Sequence, residues 1–361
     1  MAYQIGDPEL DAAIAALVEA NGGGSDGELI RELVTTAIKL QRDEPTRGDL
    51  KLINTALKEM RYSSRVFSQH REEPKVTVFG SARTAPGDPN YELAKEFAAR
   101  MAEIGWGVIT GAGPGIMQAA NEGAGLDHSY GVNIRLPFEG SANPFLTPAR
   151  TINFKYFFTR KLGFVKEANA FALFPGGFGT MDEAFELLTL VQTGKSDLHP
   201  IVFVEAPGTG YWGAWTDFVE RHLIDTGRIS PDDRSLWRTT DDLDQAIEEI
   251  CGFYDNFHSQ RYVDGRLVIR LHHEPTPDQL TALNEEFSDI LDAGEIESIE
   301  ATPPERADGD HPELPRLGLA FDRRQFGRLR VLIDRLNEFA PAEEHITPAP
   351  AFTEEQTERA W

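Results

Sequence analysis

The feature that most constrains this 361-residue chain is a repeated order of short apolar run, glycine turn and amphipathic helix between residues 74 and 257. Runs such as KVTVFG, GVIT, AFALF and PIVFVEA carry almost no charge, which is typical of strands buried on both faces. Helical patterns such as NYELAKEFAARMAEIG, and a further helix predicted over residues 157–166, separate these runs. The sequence therefore predicts an α/β domain built on a parallel sheet with helices on both faces.

A helical pattern precedes this domain. Over residues 1–73 the sequence predicts a helical arm, in which apolar residues recur at helix spacing from Leu50 to Met60 and Asp49 is placed as the N-cap. Pro and Gly in DEPTRGD predict a turn between two helices of this arm.

A different pattern follows the domain. Residues 258–340 predict strand, helix, strand, strand and helix, which suits a small α+β domain of unknown role. The segment PPERADGDHPELP within it has the composition of a polar loop, and residues 341–361 predict a flexible tail.

Composition excludes several classes of protein. The formal net charge of −24, from 59 acidic against 35 basic side chains, would repel a nucleic acid backbone, and no block of Lys or Arg offsets it. A single cysteine, Cys251, excludes an internal disulfide framework. No apolar run reaches the length of a membrane span or of a signal-peptide core, so we expect no membrane partner and a cytoplasmic location.

Two glycine loops indicate the chemistry. In TGAGPGIM, Gly111, Gly113 and Gly115 stand between a predicted strand and a predicted helix. Glycines there let the backbone turn tightly and leave amide N–H groups for an anion, so phosphate is the expected ligand. The spacing matches neither the dinucleotide fingerprint nor a Walker loop, and a turn needed only for close packing of strand and helix would explain the same residues.

The second loop, PGGFGT, repeats this arrangement at the end of another predicted strand. Gly176, Gly177, Gly179 and Thr180 lead into the next helix. Because the carboxyl ends of parallel strands meet at one edge of a sheet, two such helix starts suit a single phosphorylated ligand.

Two carboxylates, Asp182 and Glu183, follow this loop. Acidic residues at a helix start ordinarily complement the helix dipole, yet they would repel a phosphate bound there. The conflict is resolved if the Glu183 side chain points toward the rest of the ligand, where it could bond sugar hydroxyls or stabilise positive charge at an anomeric carbon. Arg160 and Lys161 in FFTRKLGF offer cations for such a site, although a solvated basic pair is the ordinary explanation.

The segments VTVFGSAR, ITGAGPGIMQAANEGA, YFFTRKLGFV and FPGGFGTMDEAFE, in this order, resemble the Lonely Guy family, whose members were once labelled lysine decarboxylases. The likeness covers residues 74–254. It implies a Rossmann-like, doubly wound fold and hydrolysis of nucleoside 5′-monophosphates, such as AMP and cytokinin nucleotides, to free base and ribose 5-phosphate. The family motif Pro-Gly-Gly-x-Gly-Thr-x-x-Glu falls on residues 175–183.

By this resemblance Arg160 and Glu183 are the catalytic pair. In the implied mechanism Glu183 stabilises an oxocarbenium-like state and orients or deprotonates a water, while Arg160 positions Glu183 or the substrate. The resemblance implies no cofactor and no metal, and no lysine stands out as one that would carry pyridoxal phosphate. The residues that would bind phosphate and the rest of the substrate are Lys161, Gly176, Gly177, Gly179, Thr180, the turn with Gly111, Gly113 and Gly115, and Ser81 and Arg83 after the first strand.

The resemblance also implies a homo-oligomer, because members of the family form dimers or larger assemblies with active sites near subunit contacts. Phe154, Tyr156, Phe157 and Phe158 would then line such a contact or the base pocket, or would simply belong to the core. The helical arm and the C-terminal domain set this chain apart from short members and resemble, in outline, the longer bacterial purine/pyrimidine monophosphate nucleosidases. The preferred base stays open.

Other classes of protein would share some of these features. A non-catalytic nucleotide carrier or sensor would keep both loops but would not need Arg160 together with Glu183. A single-stranded DNA-binding protein of related fold would need a basic groove, whereas this chain has no lysine after Lys195. A metal enzyme is disfavoured because His272 and His273 are adjacent, and adjacent residues of a strand point to opposite faces.

Overall fold

The computed structural model describes residues 3–24, 26–135 and 142–341. The chain divides into two compact units, Met1–Arg61 and Tyr62–Trp361. The predicted tail of residues 341–361 lies outside the described residues except for its first member. In the part of the chain that is described, no helix is both long enough and apolar enough to cross a membrane.

The first unit is helical, as the sequence predicts. Thr46, rather than Asp49, caps the third helix: the Thr46 hydroxyl accepts from the amide of Asp49 at 3.2 Å, and the Asp49 carboxylate accepts in return from the Thr46 amide at 3.1 Å. The apolar stripe from Leu50 to Met60 is largely exposed, with Leu57 50% and Met60 42% accessible. The helices are α1 (Pro8–Ala20), α2 (Gly27–Arg42) and α3 (Arg47–Phe67).

The second unit contains a seven-stranded sheet in which every described pair of neighbours is parallel, which confirms the predicted doubly wound α/β fold. Its strands are β1 (Lys75–Phe79), β2 (Gly107–Thr110), β3 (Ser129–Ile134), β4 (Thr151–Phe154), β5 (Ala170–Leu173), β6 (Ile201–Val204) and β7 (Arg238–Thr240). The helices that connect them are α4 (Pro89–Glu103), α5 (Ile116–Ala124), α6 (Phe157–Lys166), α7 (Phe178–Gln192), α8 (Tyr211–Val219) and α9 (Leu243–Gly252).

The strand order, β4-β3-β2-β1-β5-β6-β7, sets the place of the site. The chain winds outward from β1 to β4 and then returns to add β5 on the other side of β1. The loops that follow β1 and β5 therefore leave the sheet in opposite directions. In open sheets of this kind the crevice at such a reversal receives the ligand.

Two strands and one helix end were not predicted. The edge strand β7 consists of Arg238, Thr239 and Thr240, all half-buried, so it lacks the apolar run by which a central strand is recognised. Strand β4 is short and places Asn153 in an exposed position. The segment YWGAWTDFVERHLI, whose pattern is typical of one continuous helix, changes after Val219 into a π-helical turn, Glu220–Ile224.

The core of the second unit is apolar and tightly packed around the sheet. Val76, Val78 and Phe171 in the central strands have no accessible surface. Cys251 in α9 is also buried, and burial raises the pKa of its thiol to about 11. Among the described residues this core continues without a break into the C-terminal strands and helices.

The C-terminal part is an antiparallel sheet with helices, which confirms the predicted α+β class, but the sheet has four strands where the sequence predicts three. The segment RYVDGRLVIRL, which corresponds to the first of the predicted strands, forms a hairpin of two strands, because Asp264 and Gly265 both adopt positive φ, the conformation of a tight two-residue turn. The elements are β8 (Phe257–Val263), β9 (Arg266–Leu271), α10 (Pro277–Phe287), β10 (Leu291–Ser298), α11 (Pro303–Asp308), β11 (Arg316–Phe321) and α12 (Phe326–Asn337), with strand order β10-β11-β9-β8.

The segment PPERADGDHPELP, predicted as a polar loop, instead contains α11 and a buried group of charges. Glu305 is fully buried and accepts from Arg270 Nη2 at 2.8 Å, and Arg316 Nη1 lies 3.0 Å from its other oxygen. Asp310 also bonds Arg270 and accepts from Arg261 Nη1 at 3.0 Å. Polar composition suggested exposure here, but each carboxylate has a guanidinium partner on an adjacent strand.

Candidate active site

The site begins where β1 and β5 end side by side. The amide of Phe174 donates to the carbonyl of Phe79 at 2.8 Å, and the amide of Ser81 donates to the carbonyl of Pro175 at 3.1 Å. These two hydrogen bonds join the loop after β1 to the loop after β5 at their first residues. Beyond this point the two loops separate. A cleft of about 720 Å³ opens between them, at the crevice that the strand order predicts.

Two glycines let the loops approach this closely. Gly115 has φ +70°, and a Cβ there would run into the carbonyl oxygen of Ser81. That carbonyl accepts from the amide of Ile116 at 3.0 Å. In the second loop, a Cβ on Gly176 would run into the Thr180 hydroxyl and lie 3.0 Å from the Ser81 amide. Close packing of strand and helix, the alternative considered for the first loop, therefore explains Gly115.

Three polar side chains support the first glycine loop through hydrogen bonds. Thr110 Oγ1 donates to Asn121 Oδ1 at 2.7 Å and accepts from the amide of Ala112 at 3.0 Å. Asn143 Nδ2 donates to the same Asn121 oxygen at 2.9 Å and to the carbonyl of Gly113 at 3.2 Å. Ala112 has φ +63°, a left-handed conformation that an alanine holds only when its surroundings enforce it. The loop is therefore rigidly supported.

The second glycine loop presents the start of α7 to the cleft. Gly177 is the N-cap residue, and no side chain caps this helix. The first amides of an α-helix have no intrahelical acceptor and carry a partial positive charge. A Cβ built on Gly177 or Gly179 would meet no atom within 4 Å, so there is open space beside these amides. The helix start has the geometry of an anion site, with Thr180 half a turn further on.

Arg160 extends from α6 to the same cleft. Its Nε donates to the carbonyl of Val132 at 2.8 Å, and its Nη2 donates to the carbonyl of Gly111 at 3.2 Å. The guanidinium carbon lies 5.0 Å from the centre of the Phe164 ring. Arg160 is thus fixed by backbone carbonyls from β3 and the first glycine loop, which orients its planar head group.

Glu183 lies in the second turn of α7, because the helix begins at Phe178. The helix dipole acts mainly on the first turn, so complementing the dipole is a weak explanation for Asp182 and Glu183. Glu183 is only 8% exposed, and burial raises the pKa of its carboxyl to about 7. The charges of Lys161 and Arg160 act in the opposite direction and favour the carboxylate.

Lys161, the neighbour of Arg160 on α6, faces α7. Its Nζ lies 2.5 Å from Glu186 Oε2, 2.9 Å from Asp182 Oδ2 and 4.0 Å from Glu183 Oε2. Burial by itself lowers the pKa of Lys161, but the bonds to Glu186 and Asp182 outweigh burial and raise it. The lysine therefore carries its positive charge into a group of three carboxylates.

The structure brings most of the predicted site residues to one cleft. Lys161, Gly113 and Gly115 are not among the residues that line it. Among the predicted aromatic residues, Phe157 lines the cleft and Phe154 is buried in the core. Phe157 and Phe158 are both exposed. The predicted residues that line the cleft are Ser81, Arg83, Gly111, Arg160, Gly176, Gly177, Gly179, Thr180 and Glu183.

Sequence reasoning missed Tyr211, which lies at the start of α8. Its hydroxyl donates to the carbonyl of Gly176 at 2.5 Å, so it supports the second glycine loop from the side of the cleft. The Glu205 carboxylate accepts from the amides of Tyr211 and Trp212 and fixes the helix start. The position of Glu205 in the sequence could have indicated this part of the site. Glu205 directly follows β6, whose carboxyl end lies at the same sheet edge as the carboxyl ends of β1 and β5.

Apolar side chains form the remainder of the cleft. Phe79, Phe164, Met117 and Phe157 line it, and Phe178, 97% exposed, stands at the helix start. Across residues 3–24, 26–135 and 142–341, no group of three or more His, Cys, Asp or Glu side chains is placed to hold a metal ion. The cleft thus combines an anion site, a buried carboxylate with a nearby guanidinium, and apolar walls.

Comparison with known proteins finds similarity over part of the chain. Residues 115–250 match a family model described as "Possible lysine decarboxylase". A probable cytokinin riboside 5′-monophosphate phosphoribohydrolase from Oryza sativa subsp. japonica is 26% identical over 188 residues, which cover 49% of this chain and 82% of that protein. A cytokinin riboside 5′-monophosphate phosphoribohydrolase from Arabidopsis thaliana is 32% identical over 77 residues, covering 21% of this chain and 34% of that protein.

Solved structures resemble about half of the chain. A molybdenum cofactor binding protein from Rippkaea orientalis is 18% identical, with a TM-score of 0.36, and covers 49% of this chain and 94% of its own. A molybdenum cofactor carrier protein from Chlamydomonas reinhardtii is 21% identical, with a TM-score of 0.34, and covers 48% of this chain and 94% of its own.

Proposed function

Because the α/β domain of this chain belongs to the Lonely Guy family, we propose that it hydrolyses the N-glycosidic bond of nucleoside 5′-monophosphates to free base and ribose 5-phosphate. One observation carries the proposal: a buried carboxylate, Glu183, shares a single cleft with Arg160 and with the uncapped start of α7. The relatives that match part of this chain are named cytokinin riboside 5′-monophosphate phosphoribohydrolases.

The anion site would take the 5′-phosphate. The first amides of α7 and the Thr180 hydroxyl are the donors, and Gly177 and Gly179 leave space for phosphate oxygens. Arg83, exposed in the loop after β1, adds a positive charge to the same cleft. A phosphate held here would fix the ribose beside Glu183 and so place the anomeric carbon near the carboxylate.

Glu183 would act on the ribose. As the C1′–N bond breaks, positive charge develops on the sugar, and a carboxylate held in a buried site stabilises that charge strongly. Glu183 would also take a proton from the water whose oxygen forms the new bond to C1′, while the base takes up a proton as it leaves. Burial raises the pKa of Glu183 to about 7, so at neutral pH the carboxylate is available and its proton affinity suits this transfer.

Arg160 would keep its guanidinium over the site. The carbonyls of Val132 and Gly111 fix its direction, and its charge favours the ionised form of Glu183. The aromatic and thioether side chains of Phe79, Phe157, Phe164 and Met117 would form the surface against which the planar base stacks. A carrier or sensor would need the phosphate site but not a buried carboxylate beside an arginine.

The name of the matching family model implies another reaction, a decarboxylation that requires pyridoxal phosphate on a lysine. The cleft does not fit that group, because none of the described residues that line it is a lysine. The nearby Lys161 amine bonds Glu186 and Asp182 instead. The site therefore does not support a decarboxylation that depends on pyridoxal phosphate.

A direct assay tests the proposal. The purified chain is incubated with AMP, GMP, CMP, UMP and isopentenyladenosine 5′-monophosphate, and free base and ribose 5-phosphate are separated by chromatography. Glu183→Gln, which keeps the size of the side chain and removes its charge, serves as the matched control. We expect equal amounts of base and ribose 5-phosphate from the original protein and at least a 100-fold slower release, on the order expected for a lost catalytic group, from the variant.

Two results would contradict the proposal. Nucleotide binding at the same affinity by both proteins, with no base released by either, would favour a carrier or sensor. Release of the base at the same rate by Glu183→Gln would remove Glu183 from the mechanism.

A further inference from the structure

Lys161 has a geometry that the proposed reaction does not yet explain. Its ammonium group lies between three carboxylates of α7, at 2.5 Å from Glu186, 2.9 Å from Asp182 and 4.0 Å from Glu183. The side chain is 15% exposed and does not belong to the lining of the cleft. A lysine that served mainly to bind substrate phosphate would be expected to direct its amine into the cleft.

The three carboxylates need a common cation. Asp182 and Glu186 are four residues apart on one helix face, and Glu183 and Glu186 are three apart, so their charges repel one another. Glu183 is the most buried of the three, with its side chain 10% exposed against 30% for Glu186 and 60% for Asp182. Repulsion is weakly screened by water at the buried position, and Glu183 is therefore the member most affected by its neighbours.

Other charged and titratable side chains act on Glu183 or line the same cleft. Arg160, from the same helix as Lys161, is the second cation that acts on Glu183. Arg83, after β1, and Tyr211, on α8, line the same cleft. Arg160 is bound to the carbonyls of Val132 and Gly111, so its guanidinium is held against β3 and the first glycine loop. Within the described ranges, Lys161 is the cation that ion-pairs with all three carboxylates.

From this arrangement we infer that Lys161 is a positioning residue of the proposed reaction: by neutralising Asp182 and Glu186 and lying close to Glu183, it keeps Glu183 ionised and in place, and it does not bind the substrate phosphate. The inference rests on the proposed nucleosidase function. It assigns the two adjacent basic residues of α6 to different tasks, with Arg160 in the cleft and Lys161 behind it.

The rate of base release should rise with pH as Glu183 ionises, and we call this rise the acidic limb of the pH profile. Two substitutions should shift its midpoint in opposite directions. Lys161→Met keeps the length of the side chain but removes the charge, so Glu183 should require a higher pH to ionise. Glu186→Gln removes a repelling carboxylate and leaves the lysine, so Glu183 should ionise at a lower pH. The base-release rate, as kcat and as kcat/KM, is measured from pH 5 to 9 for both variants, the original protein and Lys161→Arg, which keeps the charge.

We expect the midpoint of the acidic limb to rise in Lys161→Met by about one pH unit, so that kcat/KM well below the midpoint falls about tenfold while the high-pH plateau changes much less. The midpoint should fall in Glu186→Gln and should return toward the original value in Lys161→Arg. The inhibition constant of ribose 5-phosphate at pH 9 should stay within about twofold in all three variants, since none of them alters a phosphate contact.

Carbon-13 NMR of glutamate carboxyls, assigned by difference with Glu183→Gln, reads the Glu183 titration without turnover. An unchanged Glu183 midpoint in Lys161→Met together with weaker binding of ribose 5-phosphate would overturn the inference and make Lys161 a phosphate ligand. If Lys161→Met does not fold, Glu186→Gln decides: an unshifted or raised midpoint overturns the inference. A wild-type protein that releases no base would instead overturn the proposed function, and the NMR titration would still report whether Lys161 controls Glu183.

Discussion

Arg160 donates a hydrogen bond from Nη2 to the carbonyl oxygen of Gly111 at 3.2 Å and thereby joins helix α6 to the first glycine loop. The same guanidinium occupies the space that a Cβ on Gly111 would need. The glycine and the arginine are therefore coupled: the arginine reaches its place because residue 111 has no side chain.

The first prediction follows from this contact. In Gly111→Ala the new methyl group would meet the ends of two flexible side chains, Arg160 and Met117, rather than backbone, so we expect the fold to persist and the guanidinium to move. Base release should slow by about 10- to 100-fold, the effect of misplacing a catalytic group, with little change in the melting temperature. Gly213→Ala on α8, where a Cβ would meet nothing within 4 Å, is the matched control. An unaltered rate in Gly111→Ala would show that this position of Arg160 is unnecessary.

The second prediction concerns stability as a function of pH. Burial raises the pKa of Glu183 from 4.5 to about 7 in the folded protein, so folding favours the protonated carboxyl. Its contribution to the free energy of unfolding is fully present below about pH 4.5 and is lost as the pH rises through 7, by on the order of 3 kcal/mol. The glutamine of Glu183→Gln cannot ionise, so the free energy of unfolding of this variant should not decrease in this way as the pH rises.

We therefore expect Glu183→Gln to be inactive yet more stable than the original protein at pH 8, with the difference shrinking toward pH 5. Urea unfolding of both proteins at pH 5, 6.5 and 8 measures it. A difference in the free energy of unfolding that does not vary with pH would show that Glu183 titrates near its ordinary value.

The third prediction separates loop support from stability. Tyr211→Phe removes the hydroxyl that donates to the Gly176 carbonyl, so we expect the KM for nucleotide to rise several-fold as the phosphate loop loosens, at a stability loss of about 1 kcal/mol. Tyr91→Phe is the control, because its hydroxyl donates to Glu122 at 2.8 Å, outside the cleft. It should lower stability by a similar amount and leave KM unchanged. Equal KM values in the two variants would contradict a role for Tyr211 in the site.

The fourth prediction concerns the C-terminal sheet. Glu305→Gln removes the carboxylate that pairs with buried Arg270 and Arg316, and breaking a buried pair from one side costs about 3–5 kcal/mol. Burial by itself raises the pKa of Glu305, but hydrogen bonds from Thr302 and Arg270 outweigh it and lower the pKa. The stability that the wild-type carboxylate provides is therefore present above the ordinary carboxyl pKa and is lost as the pH falls below it.

The matched control is Glu297→Gln, which breaks the exposed pair with Arg266 at 2.7 Å in the same sheet. That change should alter the free energy of unfolding by less than about 1 kcal/mol. Thermal unfolding at pH 7 compares the two variants. Similar melting temperatures would show that the buried charges of the C-terminal sheet contribute no more than surface pairs.

The sequence predicted the α/β domain well because its strands are apolar on both faces and its turns carry glycine. Helix α6 begins and ends at the predicted residues, Phe157 and Lys166. The edge strand β7 was missed because its three residues are polar or charged and only half-buried. A run of three polar or charged residues has no apolar pattern that would distinguish it from a loop.

The site was predictable only as a set of residue types at strand ends. Glycine spacing placed Gly111 and Gly176 at the same sheet edge, where the structure has both. Spacing along the chain could not show that Arg160 and Lys161, adjacent in sequence, face different groups, because that depends on how α6 packs against α7. Tyr211 was missed for a similar reason, since its contact with Gly176 spans 35 residues of chain.

The burial of Cys251 makes this protein convenient for spectroscopic labelling. Maleimides and nitroxide reagents react with the thiolate, and the raised pKa and low accessibility of Cys251 leave it almost wholly as an unreactive thiol at neutral pH. A second cysteine introduced at Phe178, a position 97% exposed beside the cleft, would therefore be modified selectively without first removing the native one. A fluorophore at that position would report the arrival and departure of a nucleotide in real time.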